Sequence, residues 1–306
     1  MRARLCLLTL LIVALWVPLP SAADGPYQLI KDVPIGGDGG WDYLNVDLAA
    51  KRLYISHATK VVVFDLTKDA IAGEIADTPG VHGAVAAFGD RIVTSNGRGN
   101  NASIVDAKTF QTISKVTTEG NPDFIMYEPK QKEVYTFNGS GKSASVIDAS
   151  GKVVATIPLG GKPEAGVPDT AAGRVYVNNE TGNEIIVIDV AKHEVVARWP
   201  IAPGESDVPI GPGVDSTQFD PGTGYAFSSC GGGDGSVTIA HEDAPDKLTV
   251  VQTLKTERGA RTMGLDPATH RIYVAAVKYT EPAAGGGRAQ MVPGSMHLLV
   301  YGINGK

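Results

Sequence analysis

Residues Lys132–Gly161 read KEVYTFNGSGKSASVIDASGKVVATIPLGG. Three short runs rich in β-branched and aromatic residues, EVYTFN, SASVID and VVATIP, are separated by Gly, Ser, Asn and Asp, which marks three strands joined by tight turns. The first run recurs along the chain as KRLYISH, DRIVTSN, KEVYTFN, GRVYVNN, GYAFSSC and HRIYVAA, whose fourth residues are Tyr54, Val93, Tyr135, Tyr176, Phe227 and Tyr273. Their separations are 39, 42, 41, 51 and 46 residues. Each copy but the last is soon followed by a second run, VVVFD, ASIVD, ASVID, IIVID or VTIAH, and the last reaches HLLVY only after a long insertion. An alternating run such as KVVATIPLGG or EVVARWP comes next. No segment keeps a 3.6-residue period, so helices are expected to be nearly absent.

Four strands in about 40 residues, repeated, are the pattern of a β-propeller blade. The YVNN and YTFN runs, followed by VIDV and VIDA and then VVATIPLGG, resemble the YVTN-repeat propellers, particularly the exported YncE-like proteins, over roughly residues 27 to 280. The resemblance implies a propeller and carries no reaction with it, because propellers host many activities. Six units of three strands are visible, yet seven fourth-strand endings, at 33, 76, 116, 157, 199, 208 and 255. WPIAPG and VPIGPG stand back to back. Propellers of the family it resembles typically have seven blades, so one three-strand unit looks lost between Glu205 and Gly213. The expectation is an all-β propeller of six four-stranded blades, with seven as the alternative. YQLIKDVPIGG has no unit before it and HLLVYG no fourth strand after it, so the N-terminal strand should complete the last blade and close the ring.

The chain opens with Arg2 and Arg4, a mostly apolar run from Leu5 to Val17 and then PLPSAA, the order of a secretory leader cleaved after Ala23. The expected domains are residues 1–23 as leader and 24–306 as one propeller, periplasmic or secreted, with no membrane anchor after cleavage. Cys6 leaves with the leader and Cys230 remains alone, so no internal disulfide forms. Loss of Arg2 and Arg4 moves the formal charge from −6 to −8. An acidic chain without a basic run is a poor partner for nucleic acid. A monomer is expected.

Aligning the six units places an ionisable residue at the start of every innermost strand: Asp42, His82 after a one-residue gap, Asp123, Glu164, Asp215 and Arg261. In a propeller these positions converge on one mouth of the central channel. The second strands end near that face in His57, Asn96, Asn138, Asn179, Cys230 and Ala276, with Arg98 following Asn96. Converging carboxylates require a counter-charge: Ca²⁺ or another divalent cation on Asp42, Asp123, Glu164 and Asp215, a cationic ligand, or simply Arg261, Arg98 and protonated His82. Solvated charges at strand starts are the bland alternative.

Other residues point elsewhere. Asp65, Asp106, Asp148 and Asp189 precede turns and suit hydrogen bonding to backbone N–H groups. His193, His241 and His270 fall away from the charged mouth. Cys230 has no local base, and the adjacent GGGDGS lacks the lysine and helix of a phosphate loop. Asn101, Asn138 and Asn179 each begin a glycosylation sequon. Between Ala276 and Met296, VKYTEPAAGGGRAQMVPGS reads either as a lid over the mouth, with Arg288 at its tip, or as a disordered excursion.

The first functional expectation is a binding module holding a small polar or cationic ligand, or a peptide, at the mouth. Asp42, Asp123, Glu164 and Asp215 would supply charge, Asn96, Asn138 and Asn179 hydrogen bonds, and His57 and His82 pH-sensitive contacts. The alternative is a metal-dependent hydrolase or lyase acting on an ester, lactone or phosphoester. A scaffold using the outer rim is a third class and leaves no specific trace.

Overall fold

In the blades packed between two close neighbours, strands two and three bury both faces, and this explains runs that are apolar throughout. In the third blade Val134, Tyr135, Phe137, Ala144, Val146 and Ile147 are all 0% exposed. Its outermost strand, Val153–Pro158, alternates between sheltered and exposed positions. The computed structural model describes residues 25–201, 208–245, 247–281 and 289–303. These form six antiparallel four-stranded sheets. Their innermost strands are Trp41–Asp47, Val81–Ala87, Pro122–Glu128, Pro163–Asp169, Val214–Asp220 and Met263–Asp266, which number the blades one to six. A single 3₁₀ turn, Gly97–Gly99, is the only helical element among the described residues.

The sixth blade takes its outermost strand from the N-terminus. Tyr27–Pro34 pairs with His297–Ile303 from Tyr27↔Ile303 to Pro34↔His297, so the ring is closed as the repeat pattern requires. The blade number is six. The surplus ending VPIGPG forms no strand; residues 208–213 are irregular. The leader and Arg288 lie outside the described residues.

Five apolar clusters join neighbouring blades: six with one, five with six, three with four, one with two, and two with three. Among the described residues none joins four with five. Val167 of blade four and Phe219 of blade five, on the faces turned toward this seam, are 65% and 45% exposed. The seam lies where the sequence carries its surplus ending.

The turn aspartates behave as expected. Asp65 accepts the backbone N–H groups of Thr67 and Lys68, Asp106 those of Lys108 and Thr109, Asp148 those of Ser150 and Lys152, and Asp189 those of Ala191 and Lys192. Hydrogen bonds from Thr67, Thr109 and Ser150 hold Asp65, Asp106 and Asp148 below the usual carboxylate range.

The residues ending the second strands are structural. Asn138 is 0% exposed, donates to Ser143 and Ser145 Oγ at 3.1 and 2.9 Å, and accepts from Thr136 Oγ1 at 3.2 Å. Asn96 repeats the pattern with Thr94, Asn101 and Ser103. Asn179 bonds Glu184, Thr181 and the Gly182 N–H. His57 is buried between the Gly36 and Gly40 carbonyls, at 3.1 and 3.3 Å. Buried Asn138 and Asn179 are consequently closed to glycosylation. Asn138→Ala is expected to cost about 2–3 kcal/mol, since it leaves three hydroxyls short of a buried partner. Urea unfolding checks this, and an unchanged midpoint would refute the network's role.

Candidate functional site

The innermost strands of blades one to five carry one extra residue near their starts. Trp41 pairs with His57 and Leu44 with Ile55; Val81 pairs with Asn96 and Gly83 with Ser95; Pro122 pairs with Asn138 and Ile125 with Thr136. Blades four and five repeat the slip between Pro163 and Gly166 and between Val214 and Ser216. Asp42, His82, Asp123, Glu164 and Asp215 all sit within these bulges. A bulge breaks the ladder and re-aims a side chain. Facing side chains meet some of the freed backbone N–H groups: Ser56 Oγ accepts Asp42 N at 2.7 Å, Ser95 Oγ accepts Gly83 N at 3.1 Å, and Asn178 Oδ1 accepts Ala165 N at 2.5 Å. Ser95 Oγ also donates to the Asp123 carbonyl at 2.5 Å and Ser229 Oγ to the Arg261 carbonyl, tying each strand start to the preceding blade.

Asp42, Asp123, Glu164, Asp215 and Arg261 line one cavity of about 360 Å³ at the channel mouth, together with Gly213 and Val214. His82 stands at its side, with Nδ1 2.6 Å from Asp42 Oδ2 and 3.2 Å from Asp123 Oδ1. The charged half of the expected ring therefore forms. His57, Asn96, Asn138 and Asn179 do not join it, because the amides are engaged within their own blades and turns and His57 with the carbonyls of Gly36 and Gly40. Arg98 is exposed on the Gly97–Gly99 turn and makes no ion pair among the described residues.

Most of the counter-charge is internal. Arg261 Nε meets Asp215 Oδ2 at 2.5 Å, and Lys162 Nζ meets Glu164 Oε2 at 2.9 Å and Glu180 Oε2 at 2.5 Å. These two partners hold Lys162 well above the usual lysine range. His82 loses basicity to burial but gains more from the Asp42 hydrogen bond, the Asp123 and Asp42 charges and Asn121, so its pKa is raised. Burial pushes Asp123 up to about 6, helped by Asp42 and Glu164 and opposed by His82. Burial also raises Asp215 against the pull of Arg261.

Tyr43 and Phe124, each directly following a ring aspartate, meet edge to face at 5.0 Å. The Tyr43 hydroxyl, from blade one, donates to Glu164 Oε1 of blade four at 2.9 Å. This pair crosses the channel beside the acids. The sequence offered a signal for it in the repeated Asp-aromatic pairs Asp42-Tyr43 and Asp123-Phe124, and Lys162 stands two residues before Glu164.

One ligand atom each from Asp42, His82 and Asp123 lies within 4.8 Å of the others, a spacing a divalent ion can span. Cys230 is buried, and burial raises its thiol pKa, as suits an inert cysteine. His193, His241 and His270 pair with Glu133, Asp243 and Asp220, away from the mouth.

Among solved structures the chain is similar to hydrazine synthase of Kuenenia stuttgartiensis, at 17% identity and a TM-score of 0.55, covering 80% of this chain and 77% of that one. It is also similar to the Cps50 (Swd1) β-propeller domain of Myceliophteria thermophila, at 10% identity and a TM-score of 0.56, covering 91% and 100%. The likeness is one of fold. No protein-family model and no curated protein matches the chain.

Proposed function

We propose that this chain is an exported binding module whose channel mouth holds a small ligand bearing a cationic group. The observation that carries this reading is the 360 Å³ cavity, where four carboxylates from four blades face a single lining cation, Arg261. Its size falls in the range of small-ligand sites. Export rests on the leader sequence, and the YVTN-like motifs agree with it. A second reading, a divalent transition-metal ion on Asp42, His82 and Asp123, is favoured by the spacing of those three groups; Ca²⁺, which takes oxygen ligands, would use the carboxylates alone. Such an ion is the precondition for metal-dependent hydrolysis of an ester, lactone or phosphoester.

Putrescine, Ca²⁺ and Mn²⁺ serve as probes in calorimetric titration of the wild type and of the Asp123→Asn, Glu164→Gln double variant. Each lost charged contact is worth about tenfold, so binding is expected to weaken about 100-fold while the fold persists. Equal binding before and after substitution would discard the axial site. A stoichiometric metal in the purified protein, with a melting point lowered by EDTA, selects the second reading.

A further inference from the structure

Beside the acidic mouth lies a second cavity, of about 480 Å³, lined by Gly40, Trp41, Arg261, Tyr279, Ala289, Gln290 and Met291. It is roofed by the base of the long insertion, where residues 278–280 pair antiparallel with 290–292. Tyr279 bridges Met291, Thr280 N donates to the Gln290 carbonyl at 2.8 Å, and Val292 N donates to the Lys278 carbonyl at 2.8 Å. Gly294 N is held by Asp38 Oδ1 at 2.8 Å, which anchors the hairpin to the loop that follows the N-terminal strand.

This cavity has the opposite character to its neighbour. Among the described residues no carboxylate lines it, and two arginines attend it: Arg261 lies over the Trp41 ring with its guanidinium carbon 5.8 Å from the centroid, and Arg258 lies over Tyr279 at 5.6 Å. Arg261 uses Nε on Asp215 and Nη2 on the Trp41 carbonyl at 3.4 Å. Among the described residues no acceptor meets its Nη1. The indole N–H of Trp41, a residue only 6% exposed, is buried and meets no acceptor among the described residues. Buried donors of this kind are normally paired. Two aromatic walls, a methionine and one open guanidinium nitrogen, Nη1, match a ligand with a flat apolar body and an anionic end.

We propose that the cavity between blades one and six, beneath the insertion hairpin, binds a small aromatic carboxylate, with its anion on Arg261 and its ring against Trp41, Tyr279 and Met291. This site does not depend on the acidic mouth holding a cation.

Trp41 provides the readout. The chain has three tryptophans, Trp16, Trp41 and Trp199, so Trp16→Phe with Trp199→Phe leaves Trp41 as the sole tryptophan, read by excitation beyond the tyrosine band. Titrating this full-length variant with phenylacetate and 3-phenylpropionate is expected to give a saturable change in emission. Phenylacetamide, of the same shape without the charge, is expected to bind at least tenfold more weakly. Arg261→Gln is expected to weaken the acids by at least tenfold. Met291→Glu, at a position 43% exposed, is expected to do the same by charge repulsion with an unchanged melting point, and carries the test if Arg261→Gln fails to fold. No saturable response to either acid, equal binding of acid and amide, or undiminished binding in Met291→Glu would overturn the proposal.

Discussion

Deleting residues 25–36 is expected to abolish the cooperative folded state. The strand Tyr27–Pro34 does three jobs at once. It supplies the ladder partner of His297–Ile303, whose first six residues are buried. Without it that strand becomes an open apolar edge, the kind that pairs with other chains. The strand also joins two blades: the Gln252 side chain of blade five accepts from Tyr27 N at 2.9 Å and donates to the Tyr27 carbonyl at 2.8 Å. Finally, Tyr27 is 2% exposed, packs edge-on against Phe227 at 5.2 Å, and donates its hydroxyl to the His270 carbonyl at 2.8 Å. Tyr27→Ala alone is expected to cost about 3–5 kcal/mol, as for other large buried aromatics. Domains of this kind have only about 5–15 kcal/mol in total. Size-exclusion chromatography and a thermal melt decide the matter. A monomeric deletion variant that melts cooperatively within a few degrees of the full chain would show that the ring does not need its clasp.

The clasp was legible because the repeat leaves a strand unaccounted for at each end, and only pairing them completes a blade. The seam between blades four and five was partly legible. The two endings at 199 and 208 mark an irregular junction, but sequence could not tell a lost blade from a longer connection. The structure shows the physical outcome: VPIGPG has two prolines, no ladder partner and no strand, and Val167 and Phe219 stay exposed beside it.

The charged ring was legible by alignment, since residues at one register of a repeat share one place in the fold. The bulges were not, although they decide which of these side chains face the channel and which do not. An extra residue at the start of the innermost strand turns Asp42, Asp123 and Glu164 toward the axis. The facing ends of the second strands stay in a regular ladder with the third, so Asn96 and Asn138 point into the blade and bond Ser103, Ser143 and Ser145. Nearness to the mouth along the strand is not exposure to it. Tyr43 escaped the sequence because its partner Glu164 is 121 residues away, whereas Lys162, two residues before Glu164 and so on the same side of an extended chain, did leave a local signal.

Cation affinity at the mouth is expected to rise by about 100-fold between pH 5 and pH 8, because a bound cation displaces protons there. His82 faces Asp42, Asp123 and Asn121, and its pKa is raised above the ordinary histidine value. Asp123, whose neighbours are His82, Asp42, Glu164 and Lys162, has its pKa raised to about 6. At pH 5 both hold protons; above the His82 pKa neither does, so the mouth gains two units of negative charge over the interval. The sign for stability follows. Both folded-state values are raised, so these groups stabilise the unliganded protein at low pH. Asp123 loses that contribution as pH rises through about 6, and His82 loses it above 6.5, through its own raised value. A bound cation compensates for the loss, so the melting shift it produces should grow over the same interval. His82→Gln removes the competing imidazolium. It is expected to bind a cation more tightly than wild type at pH 6 and to flatten the rise above it, while Asp123→Asn weakens binding at pH 8. Putrescine titrations at pH 5, 6, 7 and 8 supply the comparison; an affinity that stays level across them would mean that the proton on His82 and the cation do not compete, and that the acids of the mouth are neutralised wholly from within the fold.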